Sequence, residues 1–203
     1  MKRNPNFVRF GKALLAGGLL VGGGSCRQEP PSKPATTQPA VTFKPQEMAD
    51  ALHAVIAADR EAYARHVIQR LAEAQAANGP EGWKTNGVPP LPAHILRLAS
   101  ESVQQKGAEF HYVLRSLWPV NPKDAPETAT EKTGLQYLLE HADSNYYSEE
   151  SLGGRRYFTA VYPDRAIVPA CVECHNQHPN SPKRDFKLGD ILGGMVVRVP
   201  LEF

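Results

Sequence analysis

Near the C-terminal end two cysteines and a histidine stand in the order Cys171-Val172-Glu173-Cys174-His175. Thiols separated by two residues fall within one turn of backbone. Such a pair can add across two vinyl groups on adjacent edges of a porphyrin, and a His directly after the second Cys then lies under the iron. The chemistry implied is covalent attachment of one haem c, with Cys171 and Cys174 as thioether anchors and His175 as proximal iron ligand. Three other readings use the same residues. A thioredoxin-like redox pair needs a βαβ setting, and none is visible around it. A zinc ion could draw on Cys171, Cys174, His175 and His178, but these lie within eight residues, whereas structural zinc sites take ligands from two separated knuckles. A plain disulfide between Cys171 and Cys174 is the third.

The remaining cysteine, Cys26, has no partner for an even disulfide framework. It closes a segment with Lys2, Arg3, Arg9 and Lys12 at its start, an apolar stretch over 13–21 and small residues over 22–25. That is the layout of a secretory signal. A Cys at this place also resembles the lipidated Cys of a bacterial lipoprotein signal, although Gly23 stands where such signals prefer Leu. The apolar stretch is too short for a membrane span of roughly 20 residues. The expected location is the periplasmic side of a bacterial membrane, lipid-anchored through Cys26 or exported and soluble. Residues 27–46 alternate Pro30, Pro31, Pro34, Pro39 and Pro45 with Thr, Ser, Lys and Gln. This composition cannot bury a core and reads as an extended tether. The expected organisation is a signal over 1–26, a Pro-rich linker over 27–46 and a folded domain over 47–203.

With 23 basic and 21 acidic residues the net charge is +2. That balance argues against a nucleic-acid partner, which selects clustered basic residues. Met48, Leu52, Val55, Ile56, Tyr63, Val67 and Leu71 recur at helical steps and predict a helix over about 47–77. A second helix is expected from Ile95 to about Gly107. Alternation over 110–115 predicts a strand, 131–140 a short helix, and 146–147 and 157–162 strands about a hairpin at Gly153-Gly154. Met195 to Val199 is a β-branched strand. The fold class expected is α+β: long N-terminal helices, then a small antiparallel sheet. No paired carboxylates, Ser-His-Asp order or phosphate-cradling glycine loop stands out, and the glycine pairs read as hairpins. An enzymatic reaction is not expected.

The segment from Cys171 to Asp190 is unusually particular, as are Gly153-Gly154-Arg155-Arg156-Tyr157-Phe158 before it and Gly193-Gly194-Met195-Val196-Val197 after it. Together they resemble the family of exported c-type haem proteins with a PAS-like haem domain. The resemblance covers about 47–203. It implies a PAS-like antiparallel sheet with the N-terminal helices packed on it, Cys171 and Cys174 as thioether residues, His175 as proximal ligand, and a redox or sensing role. In that family a cysteine on the first helix can supply the sixth iron ligand. Here that helix has no Cys; it has His66, the expected distal ligand, and His53 as a lesser candidate. Met195 is expected in the core, and His178 at the surface. Arg155 and Arg156 are candidates for the haem propionates, since guanidinium pairs bidentately with carboxylate. Two functions are consistent with this: electron transfer or redox sensing with an unidentified redox or signalling protein partner, or a gas-sensing module with an open or weakly held axial site.

Overall fold

The computed structural model describes residues 43–73 and 89–202. The expected signal, Cys26 and most of the tether lie outside the described residues, as does the loop after the first helix.

Helix α1 (Pro45–Tyr63) begins with Pro45, whose missing N–H costs nothing in the first turn. The Glu47 carboxylate accepts the Lys44 N–H at 3.1 Å, where the helix dipole favours negative charge. A π-helical turn (Ala64–Ile68) continues it into α2 (Gln69–Glu73), so the predicted helix is, as far as residue 73, one rod with an inserted wide turn. Helix α3 (Pro92–Gln105) follows, then strand β1 (His111–Arg115), helix α4 (Ala129–Glu140), strands β2 (Tyr146–Leu152) and β3 (Arg155–Arg165), helix α5 (Pro169–Gln177) and strand β4 (Ile191–Pro200). None of the described helices is long and apolar enough to cross a membrane.

The four strands form one antiparallel sheet in the order β1-β4-β3-β2. This is the α+β class expected. The β2–β3 hairpin turns on Gly153 and Gly154, both at positive φ, as a two-residue turn of the twist-compatible type requires. Strand β4 is central and covered on both sides. Met195, Val197 and Val199 pack with Tyr112, Ala160 and Tyr162 against Met48, Ala49, Leu52 and Ile56 of α1 and Leu96 of α3. Val196 points the other way and packs with Val161 against Leu135 and Leu138 of α4. Each fully buried Val of this strand contributes roughly 1.5–3 kcal/mol. Gly193 and Gly194 lie inside β4 rather than in a hairpin, a correction to the reading of that pair. A Cβ on Gly193 would sit 2.4 Å from the Arg115 carbonyl oxygen, and one on Gly194 within 3 Å of Val161 and Leu135. These glycines are there for close approach.

On the α4 side lies a buried ionic network. The Glu131 carboxylate, with no exposed surface, accepts from Arg198 at 2.9 Å and Arg115 at 3.2 Å. Arg198 also donates to Glu150 at 2.6 Å. Burial pushes the Glu131 carboxyl up, but the Glu127 N–H and the two guanidiniums outweigh it and hold the pKa below the ordinary value. Glu131→Ala leaves two buried guanidiniums without their shared counter-charge and should cost about 3–5 kcal/mol. Urea unfolding at pH 7 measures it; a variant within about 0.5 kcal/mol of the parent would refute the role. Because the folded pKa is depressed, the stabilisation is full above about pH 4.3, the unfolded value, and fades as pH falls through the folded one.

Candidate functional site

Helix α5 was not foreseen as an element, yet it carries the chemistry. Val168 is extended at its N-cap, Pro169 takes the first turn, and the Ala170 N–H donates to the Gln69 side chain at 3.1 Å. That bond satisfies one of the orphan donors of a helix start from a residue about 100 positions away. Ala64 and Ile68 of the π-helical turn pack on Val168 and Ala170, so the end of the first helical rod seats the start of α5.

Within α5, helical spacing brings Cys171, Cys174 and His175 to one side. They face a cavity of about 950 Å³, which His178 also lines. This is near the top of the range for small-molecule and cofactor sites. Its other walls come from α1 (His53, Ala57, Arg60), α3 (His94, Arg97), the segment 116–124, the end of β3 and Met195 of β4. Cys171 and Cys174 are free thiols. Burial, then Cys171 and Glu173, push the Cys174 pKa up. Among the described residues no three His, Cys, Asp or Glu converge to hold an ion, so the zinc reading gains no support. Burial pushes the His175 pKa down; Asp164 opposes this and His178 adds to it. Burial thus favours the neutral imidazole, the form that ligates a metal. Its Nδ1 is buried with no hydrogen-bond partner among the described residues, which leaves Nε2 as the nitrogen available to the cavity. Two thiols and a neutral imidazole on one helix face, beside a space of this size, fit an iron macrocycle attached through Cys-X-X-Cys-His.

The positions of α1 and the π-helical turn that reach the cavity are 53, 57, 60, 61, 64 and 68. His66 lies about 200° around an ideal helix from position 64; it is exposed and does not line the cavity. His53 does line it. Its ring stacks on Tyr162 at 3.9 Å and 5°, and the Tyr162 hydroxyl donates to Asp50 at 2.6 Å. Burial lowers the His53 pKa against the pull of Asp50 and Asp164. Asp164 is thus within electrostatic reach of both His53 and His175. It pairs with Arg60 at 2.8 Å, and Arg60 donates also to the Pro92 carbonyl at 3.1 Å, tying α1, α3 and β3 together at the rim. His94 is buried on α3 and already engaged. Met195 is in the core, as expected.

Arg155 and Arg156 do not reach the cavity. They sit at the hairpin end of β3, roughly 30 Å of extended strand from Asp164. Arg155 pairs with Glu109, and Arg156 with Glu149 at 2.7 Å. Among the cationic groups that do line the cavity, Arg60, Arg115 and Arg165 are paired and Lys123 is exposed, which leaves Arg97. It is half-buried and makes no hydrogen bond or ion pair among the described residues, with Asp124 as its electrostatic neighbour. Nothing in the sequence marked it, because an Arg on an amphipathic helix reads as solvated.

An α+β domain whose Cys-X-X-Cys-His helix faces a cofactor-sized cavity is the class that the fold and site define. The chain belongs to the Tll0287-like family, whose model matches residues 38–200. Among solved structures it is similar to the cyanobacterial heme-protein Tll0287, at 17% identity and a TM-score of 0.44, over 78% of this chain and 98% of that one. No curated protein matches it.

Proposed function

We propose that this chain is an exported c-type haem protein that works in electron transfer or redox sensing. The observation that carries the reading is the convergence of Cys171, Cys174 and His175 on one face of α5 against the cavity. The protein that gives the family its name is a heme-protein, which agrees. When bound, haem supplies one-electron chemistry at its iron, with a potential set by axial ligands, hydrogen bonding and burial.

The chain's own residues divide the work. Cys171 and Cys174 hold the macrocycle by thioethers, and His175 ligates the iron. His53, rather than His66, would be the second protein ligand to the iron, because it is the α1 histidine that lines the cavity. Arg97, rather than Arg155 or Arg156, meets a propionate. Met195 and Leu114 of the sheet core, and the cluster of Ala166, Phe186 and Leu192 against Cys171, keep water from the buried side of the site. Cys26 carries a lipid that holds the domain at the periplasmic side of a bacterial membrane, where an unidentified redox or signalling protein meets it. A haem-based gas sensor is the second reading. What favours it is the Tyr162 stack, which holds the His53 ring in place without help from any ligand.

The test is a pyridine haemochrome spectrum of the full chain, made with export and haem-attachment machinery and extracted with acidic acetone. A c-type band that stays with the polypeptide is expected. A colourless chain, or haem that leaves in acetone, overturns the reading.

A further inference from the structure

A histidine bound to a metal ordinarily donates its other ring N–H to a carbonyl or carboxylate, which fixes the ring's rotation and strengthens it as a donor. Among the described residues His175 lacks that partner: Nδ1 is buried and unbonded. Its orientation has to come from packing. Phe186, 3% exposed, meets the imidazole edge to face at 5.7 Å and 86°, a favoured aromatic geometry.

Phe186 is itself pinned by the residue next to His175. The Asn176 side chain donates to the Phe186 carbonyl at 2.9 Å and accepts the Phe186 N–H at 3.0 Å. That is the exchange one strand makes with another, here supplied by a single amide. Arg184 donates to the Asn176 carbonyl at 3.4 Å and to the Pro179 carbonyl at 2.9 Å. The Lys183 ammonium lies 4.8 Å from the Phe186 ring centroid, and Trp118 stands edge-on to that ring at 5.8 Å. The stretch from His178 to Asp190, whose residues the attachment chemistry does not use, is thus folded back as a brace on α5.

We propose that Phe186, clamped by Asn176, is the positioning residue for the His175 imidazole, taking the place of the missing Nδ1 hydrogen bond. The inference rests on the haem reading above. An imidazole held this way is a weaker donor than one sharing its N–H with an acceptor, and it has one ring orientation only while the phenyl is in place.

The experiment uses the haem-loaded full chain with Phe186→Leu, Asn176→Ala and Asn176→Asp. Low-temperature electron paramagnetic resonance of the oxidised iron and a potentiometric titration are recorded on each. Broadened or multiple axial-ligand signatures and a displaced potential are expected in Phe186→Leu and Asn176→Ala. Asn176→Asp, which keeps the acceptor and loses the donor, should fall between them and the parent. It also carries the test alone if the other two do not accumulate. Signatures and potentials equal to the parent's, in variants that retain covalent haem, overturn the proposal and leave the haem reading standing. A parent chain that takes up no covalent haem overturns both.

Discussion

With Cys171→Ala and Cys174→Ala together, acidic acetone should strip all haem from the polypeptide, and the denatured chain should show no haem stain. The effect is all or none because each thioether is a covalent bond, and non-covalent contacts do not survive denaturation. Each single variant should keep haem on the chain through one thioether, with its haemochrome band displaced because one vinyl group stays conjugated. Folding should persist. Cys171 touches two clusters, with Ala170 and Val168 on one side and Phe186 on the other. Deleting the two sulfurs costs on the order of 2 kcal/mol, less than the about 5–15 kcal/mol that holds a domain together. Circular dichroism melts of the double variant separate the two effects. If they still show a cooperative unfolding step while haem is lost, attachment and not folding has been removed. If the double variant keeps haem through acetone extraction, the cysteines are not the anchors.

The motif could be read from sequence because attachment depends on local spacing. Cys171, Cys174 and His175 need only one helical turn to converge, whatever the rest of the chain does. Helix α5 itself is hidden: nine residues that start at a Pro and include two Cys, one Val, one His and one Asn have little helical propensity, and the turn is secured by Gln69 from the first helical rod. The hidden features are those settled by helix phase and by tertiary approach. Met48, Leu52 and Ile56 mark the face of α1 that packs on the sheet. The cavity uses a neighbouring face that carries His53, Arg60 and Glu61, which looks solvated in sequence. The family resemblance, which places a ligating residue on this helix, favours His66, whereas helix phase puts His53 and not His66 on the cavity wall. Gly193-Gly194 looked like a turn because nothing local tells a glycine needed for positive φ from one needed for lack of a Cβ. Arg155 and Arg156 were placed by residue type as well, while the register of β3 puts them at the wrong end of the strand.

Replacing His53 should change the iron's coordination, and replacing His66 should not. In His53→Ala the oxidised spectrum is expected to pass from six-coordinate low-spin to five-coordinate high-spin, and the reduced form to take up carbon monoxide readily. His66→Ala should reproduce the parent in both, because that side chain points to solvent. Removing His53 also removes its stack on Tyr162, a loss of about 0.5–1.5 kcal/mol, so His53→Met is the better-packed companion. A thioether in that place is a weaker ligand to oxidised iron, and the potential should rise relative to the parent. The two outcomes for the parent divide the functional readings. Slow or weak carbon monoxide binding means two strong protein ligands, as electron transfer or redox sensing needs. Prompt binding by the parent, with a His53→Ala spectrum unchanged from it, means that His53 stays on Tyr162 and the axial position is open. The hydrogen bond that Tyr162 donates to Asp50 under that stack would then serve to hold the ring away from the iron, and the gas-sensing reading would take precedence.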